Sequence, residues 1–190
     1  MPHKFDPHHL HHLDNPLRRI FYPAGRILKD IGLAAGDVFI DIGAGSGYYT
    51  FPASEIVGDK GKVIAVDMEP IMINVLTEKN TRLGKKNIEI VQSTESDLGV
   101  AQESGSLALL SMVFHEMDDR KGMLAAIRRS LHEKGRLAII EFRKGKLIFG
   151  PPNHVRIAKE ELVRLLAETG FTDVTVANMG LSFYIARAVK

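Results

Sequence analysis

An apolar stretch that runs into three closely spaced glycines constrains the fold of this chain more than any other part of its sequence. Residues 38–42 read Val-Phe-Ile-Asp-Ile, and Gly43, Gly45 and Gly47 follow at intervals of two. A short apolar run that stops abruptly predicts a buried strand leading into a loop. Because glycine tolerates positive φ and has no Cβ, such a loop lets a ligand approach the main chain. The N–H groups at the start of the helix-compatible segment that follows would face this ligand.

The pattern Asp41-x-Gly43-x-Gly45-x-Gly47 resembles the first motif of class I S-adenosylmethionine (SAM)-dependent methyltransferases, especially short ones similar to those of quinone biosynthesis. The resemblance implies an α/β fold with a Rossmann-like sheet of seven mostly parallel strands. The strand order would be 3-2-1-4-5-7-6, with strand 7 antiparallel and helices on both faces. It also implies SAM as the cofactor and S-adenosyl-L-homocysteine as its product.

A carboxylate ends the second predicted strand, residues 62–67. This residue, Asp67, lies twenty positions after Gly47. At the tip of that strand a carboxylate can accept hydrogen bonds from both ribose hydroxyls of an adenosine. The alternative is a capping role for the helix that begins at Pro70. The spacing from the glycine loop favours the ribose role, and Met68 is then expected to lie against the adenine.

The resemblance implies cofactor contacts at the tips of the first four strands. The expected contacts are Asp41, Gly43, Ala44, Gly45, Gly47, Asp67, Met68, Thr94, Glu95, Val113 and Phe114. The family usually has an aspartate after strand three that meets the adenine amine, and this chain has Thr94 there. A hydroxyl at Thr94, or the main chain of Glu95, could replace it.

A histidine follows the fourth predicted strand, in the sequence Phe114-His115-Glu116. Similar methyltransferases show a histidine-containing turn at this position, beside the reactive methyl group. His115 is the first candidate for a general base because imidazole titrates near neutrality, and Glu116 could orient it or act instead. The alternative is structural: a packed His115, with Glu116 capping the next helix. A base is needed only when the acceptor must lose a proton.

Alternating apolar patterns predict the remaining elements of the sheet and its helices. Strands are predicted at residues 38–42, 62–67, 87–91, 106–113, 136–142, 172–177 and 182–189. Helices are predicted from residue 23 or 24 to 31, and at 48–57, 70–83, 119–131 and 158–169. Pro52 is tolerable because a helix that starts beside the glycine loop places it in the first turn.

The first 34 residues are predicted to form an N-terminal arm and a lid helix, and residues 35–190 to form the methyltransferase domain. The histidines of residues 8–12 could present a metal site on a helix, but a solvated arm is favoured and no metal is predicted. Phe21 and Tyr22 are candidates for covering the cofactor, with ordinary packing as the alternative. Arg143 and His154, in the loop after strand five, are weaker candidates for holding substrate.

The composition excludes several functions. The chain has no cysteine, which excludes disulfides, thiolate metal sites and methyl transfers that need a thiol, such as attack on cytosine or handling of arsenic. A net charge of +2 is too small to favour nucleic acid, and no apolar run reaches the length of a membrane span. A small-molecule acceptor in the cytoplasm is therefore expected. The oligomeric state is not readable, a homodimer being one option.

Two other classes of protein are alternatives to a methyltransferase. A nicotinamide-dependent oxidoreductase would show Gly-x-Gly-x-x-Gly, but Tyr48 occupies the sixth position and the third glycine comes one residue early, at Gly47. SAM has no phosphate, so it does not need the helix N-terminus that the longer spacing supplies to a pyrophosphate. A protein that binds SAM or another nucleoside without catalysis is the second class, which turnover of SAM would distinguish.

Overall fold

The protein is described by a computed structural model over residues 22–95, 97–147 and 150–190. In these ranges strands and helices alternate along most of the chain, except that two strands follow each other at residues 88–111, and the chain ends in an antiparallel hairpin. The helices are α1 (Ala24–Asp30), α2 (Thr50–Val57), α3 (Pro70–Leu83), α4 (Arg120–Ser130) and α5 (Lys159–Glu168). The strands are β1 (Val38–Ile42), β2 (Lys62–Asp67), β3 (Ile88–Gln92), β4 (Gly105–Ser111), β5 (Leu131–Phe142), β6 (Thr172–Met179) and β7 (Phe183–Val189). A 3-10 turn covers Phe114–Glu116.

These strands form a seven-stranded sheet in the order β3-β2-β1-β4-β5-β7-β6. Neighbours from β3 to β5 are parallel, whereas β7 is antiparallel to both β5 and β6. The predicted fold class, strand order and antiparallel seventh strand are therefore confirmed. The central strands β1 and β2 are apolar along most of their length because helices cover both of their faces.

Two apolar layers cover the sheet, since alternate side chains of each strand point to opposite faces. On one face, α1 and α2 pack against Phe39 of β1, and Leu28 of α1 is fully buried there. On the other face, Leu124 of α4 and Leu162 of α5 join Ile139 of β5 in a second cluster. Helices on both faces leave the ends of the strands as the place where a ligand can reach the sheet.

The helix predicted as a lid, α1, packs into the domain. Its Ala24, Ile27 and Leu28 are buried, and the helix contacts α2. The histidine-containing arm and Phe21 lie outside the described residues, so the division of the chain after residue 34 stays a prediction. None of the helices in the described ranges has both the length and the apolar character needed to cross a bilayer.

Several element boundaries differ from the predicted ones, by one to five residues. Strand β5 begins at Leu131, ahead of the predicted residue 136, because Leu131 pairs with Gly105 across a register shift. Strand β4 ends at Ser111, short of the predicted residue 113, and Met112 then adopts a φ of 60°. Helix α2 begins at Thr50, close to the predicted start beside the glycine loop, so Pro52 lies in its first turn as expected.

The parallel strands bring the functional candidates to one edge of the sheet. The carboxyl ends of β1, β2, β4 and β5 lie side by side because these strands are parallel neighbours. Asp67 ends β2, and the turn that contains His115 follows β4. In open α/β sheets ligands bind outside these carboxyl ends, so this edge is the place to look for a site.

Two leucines on α3 test the burial assigned to this helix. Leu76 has no exposed surface and packs beside Phe51 and Ala65, whereas Leu83 at the end of the same helix is 47% exposed. We expect Leu76→Ala to lower the free energy of unfolding by about 2–5 kcal/mol, the usual cost of an internal cavity. The control Leu83→Ala should cost less than about 1 kcal/mol. Urea denaturation followed by circular dichroism measures both, and equal losses would contradict the orientation of α3.

Candidate active site

The glycine loop between β1 and α2 depends on main-chain conformations that other residues rarely adopt. Gly43, Gly45 and Gly47 have φ values of 69°, 54° and 83°, in the left-handed region that favours glycine. A Cβ on Gly43 would lie 2.5 Å from a methyl carbon of Val113. The N–H groups of Gly43 and Ala44 donate to the carbonyl of Val66 in β2, at 2.8 and 3.0 Å. The loop is therefore a close-fitting backbone surface attached to the end of β2.

The carboxylate of Asp67 joins the second strand directly to this loop. Its Oδ2 accepts a hydrogen bond from the Gly45 N–H at 2.8 Å, and its Oδ1 accepts one from the Glu69 N–H at 3.0 Å. Burial raises the pKa of Asp67, an effect that the N–H donors of Glu69, Gly45 and Met68 partly oppose. The pairing that the sequence spacing predicted is thus a direct contact. The bond to Glu69, just before α3, shows that Asp67 also orders the entry to that helix.

The acid in the glycine motif, Asp41, lies underneath the loop. It is 2% exposed, and its Oδ2 accepts a hydrogen bond from the Thr50 hydroxyl at 2.6 Å. Thr50 is the first residue of α2. A buried carboxylate of β1 therefore sets where α2 begins, and so the direction in which the loop leaves the sheet.

The residues predicted to meet the adenine lie around the tip of β2. The Ser93 N–H donates to the Asp67 carbonyl at 2.9 Å, which places Thr94 and Glu95 beside that tip. The Thr94 hydroxyl accepts a hydrogen bond from the Asp97 N–H at 3.0 Å, closing a short turn. Met68 keeps 36% of its surface exposed although it is apolar. This exposed apolar side chain is a surface that a bound base would cover.

Val113 and Phe114 connect β4 to the histidine turn in different ways. Val113 packs against the glycine loop, as the contact at Gly43 shows. The Phe114 side chain has no exposed surface and belongs to the core cluster on the α4 side. A contact of Phe114 with the cofactor stays a prediction.

The imidazole of His115 is held by a carboxylate from the neighbouring strand. Its Nδ1 lies 3.0 and 2.9 Å from Oε1 and Oε2 of Glu141. The main-chain N–H groups of His115 and Phe142 donate to the same carboxylate, at 3.0 and 3.1 Å. Sequence reasoning missed Glu141, which is fully buried near the end of β5. The available signal was an acidic residue directly after an apolar run, residues 137–140, near the end of the strand, as also at Asp41 and Asp67.

Glu116 neither hydrogen-bonds to the His115 ring nor caps the next helix. Its Oε1 lies 3.8 Å from Nε2 of His115, beyond hydrogen-bonding distance, whereas Glu141 makes the closer contacts. Helix α4 is capped by Asp119, which accepts a hydrogen bond from the Gly122 N–H at 2.9 Å, and not by Glu116. A direct catalytic role for Glu116 stays a prediction.

Four carboxylates form what we call the acidic cluster: Asp67, Glu69, Glu116 and Glu141. Burial raises the pKa of Glu116, the other three acids raise it further, and His115 lowers it. A half-buried acid with a raised pKa among like charges is typical of functional sites. A cation beside this cluster would relieve the repulsion, whereas the pyrophosphate of a dinucleotide would add to it.

These groups fit SAM, which carries a sulfonium cation and no phosphate. The acidic cluster suits the cation, and the open glycine loop suits a nucleoside that lies close to the main chain. The Ser46 hydroxyl oxygen, within this loop, is buried and has no hydrogen-bond partner among the described residues. Such an atom needs an acceptor or donor from elsewhere, and a polar group of a bound cofactor would supply it.

Two of the three predicted substrate residues meet at the hairpin between β6 and β7. The Tyr22 ring packs edge-on against Phe183 with centroids 5.1 Å apart, and its carbonyl accepts a hydrogen bond from the Tyr48 hydroxyl at 2.8 Å. Arg143 donates from Nη1 to the Leu181 carbonyl at 3.1 Å. His154 is exposed in the loop after β5.

A series of ring contacts connects Tyr22 with the histidine turn. Phe183 lies 4.9 Å from Phe142, and Phe142 lies 5.9 Å from the His115 ring, measured between centroids. These contacts form an aromatic wall (Tyr22, Phe183, Phe142 and His115) on the β7 side of the site. The structure thus relates Tyr22 to His115 through packing and not through direct contact.

Comparisons with known proteins place the same motifs in a family context. The model of the ubiE/COQ5 methyltransferase family matches residues 22–150. Aklanonic acid methyltransferase DauC of Streptomyces sp. (strain C5) is 33% identical over 151 residues, which are 78% of this chain and 69% of that protein. Ubiquinone/menaquinone biosynthesis C-methyltransferase UbiE of Vibrio vulnificus (strain YJ016) is 31% identical over 161 residues, 84% of this chain and 59% of that protein. The chain thus spans about six tenths of the length of the latter relative.

A solved structure matches the chain over nearly its full length. A SAM-dependent methyltransferase from Aquifex aeolicus superimposes with a TM-score of 0.92 at 31% sequence identity, covering 98% of this chain and 99% of that one. The fold therefore agrees with that of a protein of nearly the same length.

The raised pKa of Glu116 leads to a pH-dependent stability. Its pKa in the folded protein lies above the value of 4.5 for an unperturbed glutamate, so ionisation opposes folding. The stabilising contribution is complete below pH 4.5 and is lost as the pH rises through the raised pKa. We therefore expect Glu116→Gln to raise the melting temperature at neutral pH and to have little effect at about pH 4.

Glu168 provides a control of opposite sign. Its pKa is lowered by hydrogen bonding to Lys121, which lies 2.7 Å away. It stabilises the fold above the unperturbed pKa of 4.5 and loses this contribution as the pH falls. Glu168→Gln should therefore lower the melting temperature at neutral pH. Differential scanning fluorimetry of both variants across this pH range decides the matter, and a lower melting temperature for Glu116→Gln at neutral pH would refute the assigned burial.

Proposed function

We propose a role for each part of this site on the premise that the chain belongs to the ubiE/COQ5 methyltransferase family and is a SAM-dependent methyltransferase. Membership in this family excludes the alternative of a nicotinamide-dependent oxidoreductase. The acceptor is a small molecule, and the site features below indicate which chemical groups it carries.

The cofactor site lies across the tips of β1 and β2. The observation that carries this proposal is the 2.8 Å hydrogen bond between the Gly45 N–H and the Asp67 carboxylate, which joins the bare loop to the acid. Each oxygen of a carboxylate can accept more than one hydrogen bond, so Asp67 retains capacity for the two ribose hydroxyls. In this arrangement Met68 covers the adenine, and Thr94 or the main chain of Glu95 accepts from its amine.

Bound SAM supplies an electrophilic methyl group to the acceptor and leaves as S-adenosylhomocysteine. The chain's contribution is to align the acceptor with that methyl group and to exclude water, which together supply much of the acceleration. His115 removes the acceptor's proton at its imidazole when the acceptor has one to lose. The acidic cluster stabilises the positive charge of the cofactor before transfer.

The acceptor that we propose is a small organic molecule with an ionisable O–H, N–H or C–H group. Support comes from the names of the relatives, which concern aklanonic acid and the biosynthesis of ubiquinone and menaquinone. The aromatic wall places apolar rings next to His115. Tyr22 lies at the end of this wall and would position the acceptor. Arg143 and His154, in the loop after β5, would assist it.

The compartment and assembly of the enzyme are also part of the proposal. A chain without cysteine makes no use of the disulfides that oxidising compartments favour, which supports the cytoplasm. The small net charge supports a partner other than nucleic acid. A homodimer stays a prediction that light scattering or sedimentation would test.

A product assay tests the proposed function directly. The purified protein is incubated with SAM and a panel of phenols, quinols, carboxylic acids and amines. Formation of S-adenosylhomocysteine together with a methylated product, detected by mass spectrometry, supports the proposal. SAM binding without turnover of any acceptor would favour a binding protein instead.

Asp67 offers the sharpest test of the cofactor site. We expect Asp67→Ala to weaken SAM binding by about tenfold or more, because a charged acceptor for two hydroxyls is lost. Asp59→Ala is the matched control, since this exposed acid lies before β2, at the opposite end of the strand. Isothermal titration calorimetry measures both affinities. An Asp67→Ala variant with wild-type affinity would leave Asp67 only its role in ordering the helix entry.

His115 offers a test of the chemical step. We expect His115→Gln to keep the affinity for SAM but to lower kcat by about 10²–10⁴ with an acceptor that must lose a proton, as for loss of a general base. His132→Gln is the control, because this exposed histidine lies near the start of β5, away from the site. Steady-state kinetics and calorimetry separate the two effects. Unchanged turnover would remove His115 from the chemistry.

A further inference from the structure

We propose that Glu141 is a positioning residue, which holds His115 in the tautomer that a general base requires and fixes the imidazole against the end of β5. This inference rests on the proposed function of His115. It concerns a residue that no motif of the sequence singles out, and it assigns a purpose to a carboxylate that has no exposed surface.

A fully buried carboxylate is expensive unless hydrogen bonds satisfy it. Glu141 receives the main-chain N–H groups of His115 and Phe142, at 3.0 and 3.1 Å, and Nδ1 of His115, at 2.9 Å from Oε2. An apolar residue at this position would avoid burying a charge but would leave the two main-chain N–H groups without this acceptor. Of the three donors, the imidazole is the one whose tautomer the acid can set. The acid is therefore best explained by what it does to its main partner, the imidazole.

The tautomer of His115 follows from the chemistry of these contacts. An ionised carboxylate has no proton to donate, so Nδ1 must carry the hydrogen that it shares with Glu141. In the neutral ring Nε2 then carries the lone pair. Nε2 lies 3.8 Å from Oε1 of Glu116, on the side of the ring away from Glu141. Its lone pair therefore faces Glu116, the member of the acidic cluster on the side where we propose that the cofactor binds. A general base at this edge of the sheet needs its lone pair on that nitrogen.

The main chain of the histidine turn is fixed by the same strand. Met112 adopts a φ of 60°, which is unusual for a residue with a side chain, and its N–H donates to the Ile140 carbonyl at 2.8 Å. The His115 N–H donates to Glu141, the next residue of β5. Strained backbone of this kind persists only where its surroundings enforce it. The two bonds attach both ends of the segment 112–115 to β5.

Neighbouring polar groups serve other partners. The Arg120 guanidinium donates to the main-chain carbonyl of His115 at 3.3 Å and pairs with Glu161. Tyr184 is paired with Glu141 across β5 and β7, but its hydroxyl donates to the Ile157 carbonyl at 3.1 Å. Among the hydrogen bonds of the described residues, both that involve Nδ1 of His115 go to Glu141.

The test replaces the carboxylate by an amide of the same size, Glu141→Gln. An amide nitrogen that faces Nδ1 donates to it, so the ring proton moves to Nε2 and the base is lost. We expect kcat to fall by about 10² or more. The Kd for SAM should rise by a smaller factor, less than about tenfold, because only one charge of the acidic cluster is removed. Tyr184→Phe is the matched control, because it removes a buried hydroxyl beside Glu141 and should leave kcat unchanged. Wild-type kcat in Glu141→Gln would overturn the inference.

A double variant separates positioning from a general structural role. If Glu141 acts only through His115, the pair His115→Gln and Glu141→Gln should have the kcat of His115→Gln alone. A further loss of the same size as in the single variant would show that Glu141 acts independently, and would overturn the inference.

Nuclear magnetic resonance of the imidazole nitrogens tests the tautomer without any acceptor, with His115→Gln used for assignment. We expect the Nδ1–H tautomer in the neutral ring of wild type and the Nε2–H tautomer in Glu141→Gln. An Nε2–H tautomer in wild type would overturn the inference whatever the acceptor assay shows. If wild type neither binds SAM nor forms product, the proposed function fails, while the nitrogen spectra still decide the positioning.

Discussion

The hydrogen bond between the Gly45 N–H and the Asp67 carboxylate is the interaction on which the rest of the site depends. It connects the loop after β1 to the last residue of β2. The carboxyl ends of these strands lie side by side because the strands are parallel neighbours. The contact is possible only because the loop turns through left-handed conformations at its glycines. Without it, the main chain and the acid would not form one surface for a nucleoside.

Buried carboxylates organise this edge of the sheet in three places. Asp41 accepts from Thr50 and sets the start of α2, Asp67 accepts from Gly45 and sets the loop, and Glu141 accepts from His115. Each burial opposes folding, and each is offset by donors that the acid holds in position. The same negative charges that lower the free energy of unfolding favour a cationic cofactor.

The contact between the glycine loop and Asp67 was predictable from the sequence, whereas the partner of His115 was not. The glycine loop and Asp67 are each recognisable from a few consecutive residues, and the parallel fold places them together. The partner of His115 was missed because Glu141 lies 26 residues away, on a different strand. Glu116, the adjacent residue in sequence, was the natural choice, but the turn leaves it beyond hydrogen-bonding distance of the ring. The acid that follows the apolar run 137–140 of β5 was a signal that local reasoning did not use.

The sequence by itself determined the positions of β1, β2 and α3, the glycine loop and the order of the sheet. These features follow from apolar periodicity, from main-chain conformations that few residues allow, and from a family resemblance carried by one short motif. Only the tertiary structure decided which carboxylate holds His115 and where β5 begins. Both depend on hydrogen bonds between strands, such as Leu131 with Gly105. The partners in these bonds are distant along the chain, and no local pattern encodes them.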